Sequence, residues 1–267
     1  MQKCPKCQAT THQNKAGKTD AGLQRYRCMH CQRKYTPAPK HHGYPESLRK
    51  KAAEMYVDGG NLRRIARHLK VSPQTVSLWV MDVAEALPNA PVPEVVKEAE
   101  MDEIFTFNGN KKNRIYILTV VDRKTRCILG WAVVWMRTQE AIQAVVDQAP
   151  KAKQYFSDGF DAYQWLWYHF GRYEISKGKA DTYSVEADNA ELRHYLARLA
   201  RKSRCFSRCP YALECALRLF VYAFNRRQLY KQRFPNYAAH VMQFVSPRYL
   251  TLSMAVPVLL ASDVLFI

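Results

Sequence analysis

Met101-Asp102-Glu103-Ile104-Phe105-Thr106-Phe107 opens a set of three short apolar runs, continued by Arg114–Val121 and Arg126–Trp135. Their composition predicts strands, and their close spacing predicts a meander. Thr138–Gln148 reads as a helix, Lys153–Ser157 as a fourth strand and Arg172–Ser176 as a fifth. From Ser184 to about Arg233 the chain reads as mostly helical. Three strands in a row, then alternating helix and strand, predict a mixed-sheet α/β domain.

Upstream of these strands the texture changes twice. Leu87-Pro88-Asn89-Ala90-Pro91-Val92-Pro93 reads as an extended linker, because successive prolines cannot hold a helix. Before it, Leu48, Ala52, Met55 and Tyr56 fall at helical spacing, and Gly59-Gly60 ends that helix. Asn61 can cap a second helix that turns Leu62, Ile65, Ala66 and Leu69 inward. Lys70-Val71 then turns, Ser72 caps a third helix, and Pro73 takes its first position, where a missing N–H costs nothing. Val76, Trp79, Val80, Val83 and Leu87 form the apolar stripe of that helix. Gln74, Thr75, Ser77 and Leu78 are left outward near its N-terminus, where a recognition helix meets base edges. Arg63, Arg64, Arg67 and His68 are placed beside the DNA backbone. A plain three-helix bundle has the same periodicity; the short second helix, tight turn and polar tip favour a DNA-reading helix-turn-helix.

The first forty residues are polar and hold Cys4-Pro5-Lys6-Cys7 and Cys28-Met29-His30-Cys31, two C-x-x-C pairs with 20 residues between them. Two thiolates from each pair make the tetrahedral sulfur site that Zn²⁺ favours. Four protein ligands leave no open position, so Cys4, Cys7, Cys28 and Cys31 predict a structural zinc whose binding stabilises a segment too polar to fold on apolar burial. Cys127, Cys205, Cys209 and Cys215 read as small buried hydrophobes. Trp131, Trp135, Trp165 and Trp167 read as core or interface.

The chain has 267 residues, 48% of them apolar, and a net charge of +18, which predicts attraction to a polyanion but says nothing of fold. A small RNA-binding or ribosomal protein fits that charge equally well. No secretory signal is evident at the start, so the cysteines are expected to be reduced. The apolar stretch Met254–Ile267 contains Pro257 and Asp263 and is too short to span a bilayer. A cytoplasmic protein without membrane partners is expected.

Two-metal phosphoryl transfer needs carboxylates converging on two Mg²⁺ or Mn²⁺ ions about 4 Å apart. Asp102 lies in the first predicted strand, and Asp158 ends the fourth, before Gly159. Glu186 starts a helix on which Asn189, Arg193 and Arg201 share its face, suited to DNA phosphates. Spacing alone leaves Glu100, Glu103, Asp122, Asp161, Asp188 and Glu191 as competitors.

Three pieces of the chain carry a resemblance. They are Met101–Phe107 with Lys111-Lys112, then Ser157-Asp158-Gly159-Phe160-Asp161-Ala162-Tyr163, and finally Val185-Glu186-Ala187-Asp188-Asn189-Ala190-Glu191-Leu192-Arg193 followed by Arg198-Leu199-Ala200-Arg201-Lys202-Ser203. Together with the order of the upstream modules, residues 1–230 resemble the insertion-sequence-one family of DDE transposases. Ser203 stands where that family commonly has threonine, and Phe105 and Phe107 replace its tryptophan-containing pattern. The resemblance implies an RNase H-like catalytic fold, with Asp102, Asp158 and Glu186 as catalytic metal ligands for Mg²⁺ or Mn²⁺. It implies binding to double-stranded DNA, namely element terminal inverted repeats and target DNA, followed by cleavage and strand transfer. Arg63, Arg64, Arg67, Gln74, Thr75, Ser77, Asn189, Arg193, Arg201 and Lys202 are the expected DNA contacts.

The resulting expectation is an α+β multidomain chain: a zinc ribbon at 1–43, a three-helix helix-turn-helix at 44–87, a Pro-rich linker at 88–98, an RNase H-like mixed α/β domain at 99–233, and a tail at 234–267. Two element ends must be held at once, so a homo-oligomer is expected, in a bacterial cytoplasm and associated with the nucleoid. A catalytically inactive DNA-binding regulator derived from a transposase and an RNase H-like nuclease are the alternatives.

Overall fold

A computed structural model describes residues 3–19, 22–37, 44–176, 183–201 and 205–246. The chain divides into two compact units after Pro45. No helix among the described residues is long and apolar enough to cross a membrane.

The first unit is a small antiparallel sheet in the order β1-β2-β3, made of β1 (Gln13–Lys18), β2 (Gln24–Cys28) and β3 (Lys34–Tyr35). Its buried residues are Cys4, Cys28 and Tyr35, with Cys7, Ala9, Tyr26 and Cys31 partly buried around them. So little apolar surface cannot offset the entropy of ordering the chain, and the sulfur cluster is the natural source of stability.

The second unit begins with α1 (Glu46–Val57), α2 (Leu62–Leu69) and α3 (Pro73–Ala86). Gly59 leaves α1 with φ of 85°, a conformation that a side chain would strain. The Asn61 side chain accepts the Arg64 N–H at 2.9 Å, and Ser72 Oγ accepts the Thr75 N–H at 3.0 Å. Both caps satisfy donors that the first helical turn leaves without partners.

The main sheet has five strands, β4 (Val96–Phe107), β5 (Arg114–Asp122), β6 (Ile128–Val134), β7 (Ala152–Ser157) and β8 (Arg172–Ile175). Their order is β6-β5-β4-β7-β8. β4, β5 and β6 form the antiparallel meander, with Asp102 opposite Thr119. α4 (Gln139–Gln148) then carries the chain to the other side of β4, where β7 and β8 run parallel to it. β5 is the central support: Ile115, Ile117 and Val121 face one core, while Leu118 and Val120 face the other. The second core contains Ile142, Val145 and Val146 of α4. The first contains α5 (Tyr183–Tyr195), α6 (Pro210–Arg233) and the three upstream helices.

Several expectations change here. Residues 88–98 do not separate independent compact units, since α1–α3 share a core with α6 and β4 already begins at Val96. Leu87 and Val96 are buried, and the Pro91 carbonyl accepts from Asn225 Nδ2 at 3.0 Å. Residues 234–246 are not a loose tail: Val241, Phe244 and Val245 enter the α6 core, and Arg226 donates to the carbonyls of Phe244 and Ser246 at 2.6 Å each. The remainder of that expected tail lies outside the described residues. The expected continuous helical stretch is interrupted between Tyr195 and Pro210, and Pro210 takes the first position of α6. Cys127 and Cys215 are buried as expected, but Cys205 is half-buried and Cys209 exposed. Of the tryptophans read as core or interface, Trp131 packs against the core, while Trp135, Trp165 and Trp167 are more than half exposed and are left to the interface reading.

Candidate active site

β4 and β7 run in parallel and their pairing stops at Glu100 and Phe156, where β7 ends while β4 runs on beside β5; Asp102 and Asp158 come together just past that point. The last parallel pair is Glu100 with Phe156, and both acidic residues lie just beyond it. Gly159, immediately after Asp158, has φ of 85°, and a Cβ there would stand 2.8 Å from Ile175 Cγ2. A glycine at this point lets the chain turn sharply off β7 beside β8, leaving Asp158 exposed at the edge. Its Oδ1 accepts the Phe160 N–H at 3.2 Å.

Asp102, Glu103 and Asp158 each place a carboxylate oxygen within 4.8 Å of the others, an arrangement able to hold a divalent cation. Glu186 is not part of this cluster. It projects, exposed, from the first turn of α5, near enough for its charge to act on Asp102. Burial is the main cause that pushes the Asp102 carboxyl up to about 6, with Asp158 and Glu186 adding repulsion. Burial likewise raises Glu103 to about 7, against the opposing pull of Arg137. Such crowding of acids disfavours their ionised forms until a cation neutralises them.

α5 reaches the same edge because Glu100 ties it down. Fully buried Glu100 accepts the Val185 N–H at 2.8 Å through one oxygen and Arg123 Nε at 2.7 Å through the other. One turn further along α5, buried Asn189 donates from Nδ2 to Asp102 Oδ2 at 2.6 Å. Arg193 is half-buried on the same helix, held below its usual range by burial first and then by the charge of Arg201. Arg201 itself lies beyond the end of α5, so the expected single helical face ends before it. Lys202 lies outside the described residues.

Most of the competing acids have structural partners. Asp122 accepts from the Thr125 N–H at 2.8 Å in the β5–β6 turn. Asp188 is buried against Arg126, and Glu191 lies 3.6 Å from Arg227 Nη1. Asp161 begins a short 3₁₀ turn. Glu103 has a partner too, Arg137 at 3.5 Å, but it is the one competitor that the structure also brings into the cluster. Strand alternation sends it to the opposite face from Asp102, so sequence spacing carries no signal of their convergence.

In the three-helix region, Arg63, Arg64, Arg67 and Gln74 are exposed, while Thr75 and Ser77 are half-buried. Leu78 is 48% exposed. Thr75 is partly committed to the cap, since its hydroxyl also lies 2.9 Å from Ser72 Oγ.

In the N-terminal unit the four thiols lie within 4.8 Å of one another, with Cys4 and Cys31 sulfurs 3.6 Å apart and Cys7 and Cys28 sulfurs 3.5 Å apart. Each C-x-x-C pair is followed by a left-handed residue, Gln8 with φ of 62° and Gln32 with φ of 60°. The Cys31 backbone N–H is the main cause that lowers the Cys28 thiol to about 6, and the Cys7 N–H lowers Cys4 similarly. These amides stabilise the Cys4 and Cys28 thiolates, the form that binds metal, whereas at Cys7 the Ala9 N–H is outweighed by burial and the neighbouring thiols, which push that thiol up to about 12.

Among solved structures, the chain is similar to one in an intasome of simian T-cell lymphotropic virus in complex with the PP2A regulatory subunit B56 gamma. That match has 13% identity and a TM-score of 0.37, covering 74% of this chain and 75% of that one. It is also similar to a chain of the Mos1 strand transfer complex, with 13% identity and a TM-score of 0.32, covering 74% and 79%. Residues 95–228, half of the sequence, match the family model described as IS1 transposase. They span β4 to most of α6 and so include every carboxylate of the edge cluster; the chain belongs to the IS1 transposase family.

Proposed function

We propose that this chain binds the terminal inverted repeats of its element and catalyses metal-dependent DNA cleavage and strand transfer. One observation carries the reading: Asp102 and Asp158 converge at a sheet edge where the helix bearing Glu186 holds Asp102 in place through Asn189. Glu186 lies outside the group formed by Asp102, Glu103 and Asp158, but its charge acts on Asp102, and in this reading it completes the set of metal ligands. Carboxylate oxygens suit Mg²⁺ or Mn²⁺, and burial first, then the charges of Asp158 and Glu186, raises the Asp102 carboxyl to about 6.

Asp102, Asp158 and Glu186 are the residues that would hold the catalytic ions on an RNase H-like domain. Bound there, divalent cations supply activation of the attacking hydroxyl and stabilisation of the leaving oxygen. The chain's own role is positioning. Asn189 orients the Asp102 carboxylate, while Arg193, Arg201 and Lys202 contact phosphates beside the scissile bond. Each phosphodiester broken is matched by one formed in strand transfer, so no nucleotide hydrolysis is required.

The first 43 residues act as a zinc ribbon. Sulfur separations of 3.5 and 3.6 Å are far longer than a disulfide and close to the ~3.8 Å edge of a tetrahedron with Zn–S bonds of about 2.3 Å. Residues 44–87 act as a helix-turn-helix, in which Gln74, Thr75 and Ser77 read bases and Arg63, Arg64 and Arg67 grip the backbone. Simultaneous capture of two element ends calls for a homo-oligomer.

Purified chain with Mg²⁺ and a fragment carrying an element end tests the reading. The fragment is nicked by the native chain, and Asp158→Ala abolishes nicking while leaving end binding intact. Undiminished nicking by Asp158→Ala overturns the site. Products joined to target DNA separate a transposase from a nuclease that only cuts.

A further inference from the structure

We propose that Glu103 is a fourth carboxylate of the divalent-metal centre, reaching it from the sheet face opposite α5, with Arg137 as its counter-ion before the metal binds. This rests on the metal centre proposed above and concerns a residue outside its three acids.

Neighbouring residues on a strand point to opposite faces, so one site rarely collects both. Asp102 points to the α5 side, where Asn189 meets it. Glu103 points to the other side, toward Tyr163 and Arg137. Both reach Asp158 because β7 stops pairing with β4 at Phe156 while β4 runs on beside β5, so side chains from either face of β4 can bend toward the edge where β7 ends.

Glu103 is also incompletely satisfied. Its side chain is only 6% exposed, and its Oε1 has no hydrogen-bond partner. Arg137 Nη1 lies 3.5 Å from that oxygen, beyond the 2.7–2.9 Å of a charge-assisted hydrogen bond. Arg137 is held by other contacts. Its guanidinium sits 4.2 Å from the centre of the Phe160 ring and 4.9 Å from that of Tyr116. Those rings fix the cation where it offsets the Glu103 charge without saturating the oxygen. A buried carboxylate with a free oxygen is costly unless a cation completes its shell. A purely structural ion pair accounts for the burial, but not for the open oxygen or for the approach of this carboxylate to Asp102 and Asp158.

Mn²⁺ titration of the zinc-loaded full-length chain, followed by calorimetry and by the EPR signal of free Mn²⁺, tests the assignment. Glu103→Gln keeps size and shape, and is expected to weaken Mn²⁺ binding at least tenfold with the thermal midpoint nearly unchanged. Arg137→Gln removes a competing positive charge and is expected to tighten Mn²⁺ binding several-fold. Native affinity in Glu103→Gln, with binding lost in Asp158→Asn, overturns the role of Glu103 and leaves the metal centre standing. Native affinity in both variants overturns the centre itself. Should Glu103→Gln fail to fold, Arg137→Gln decides: unchanged Mn²⁺ affinity marks a structural ion pair and sinks the proposal.

Discussion

The N-terminal ribbon and the sheet unit solve the same problem by opposite means. Among the described residues of the N-terminal unit, Cys4, Cys28 and Tyr35 are buried, and the strands around them are largely exposed. In the sheet unit two apolar cores enclose β5 from both sides, and most of the buried polar side chains meet a partner, Ser184 Oγ being one that does not. A fold held at one point by sulfur and metal is all-or-none with respect to that point. A fold held by many apolar contacts loses stability in increments, and it can carry costly acids at one edge because the rest of the structure holds that edge rigid.

The sharpest way to break the comparison is Cys28→Ser. Zinc binding to such sites is worth roughly 10–16 kcal/mol, so the variant should lose its zinc and the ribbon's dispersed amide resonances. The thermal transition of the sheet unit should stay within a few degrees, and a joint collapse of both units would show that they are not independent. Phe220→Ala probes the other side. Phe220 is fully buried and stacks on Phe224 at 5.1 Å, so its truncation should cost about 3–5 kcal/mol by denaturant melting, with zinc content unchanged. The smallest effect on stability is expected from Asn189→Ala, which removes one hydrogen bond to Asp102. Nicking should fall by roughly 10–100-fold, as for other residues that orient a metal ligand, with stability lowered by about 1–2 kcal/mol. A loss of stability as large as that of Phe220→Ala would mean that Asn189 supports the fold rather than the site.

Much of the site was legible before the structure, and its limits have physical causes. Asp102 and Asp158 were singled out by the family resemblance, since spacing alone left several acids open, and the cysteine pairs by their own spacing; the structure brings each set together. Glu103 was only one acid among several, since alternation argues against it until the edge itself is seen. Arg201 was assigned to a helix that stops at Tyr195, because periodicity does not record where a helix ends. The Pro-rich stretch suggested a linker, yet Asn225 on α6 donates to the Pro91 carbonyl and the helices before it fold into the same core. Trp165 and Trp167, read as core or interface, lie on the connection between β7 and β8 at 73% and 55% exposure, which leaves the interface half of that reading.

The amino-acid sequence by itself determined the local matters: which runs are strands, where Asn61 and Ser72 cap helices, which four thiols belong together, and the strong positive charge. Each depends on residues a few positions apart, or on a motif whose ligands declare themselves. Only the tertiary structure decided the strand order β6-β5-β4-β7-β8, the sharing of one core by α1–α3 and α6, and the meeting of Glu103 with Asp102 and Asp158. Those outcomes depend on which faces find each other across the whole chain, and apolar burial, being non-directional, leaves no mark of that choice in any single segment.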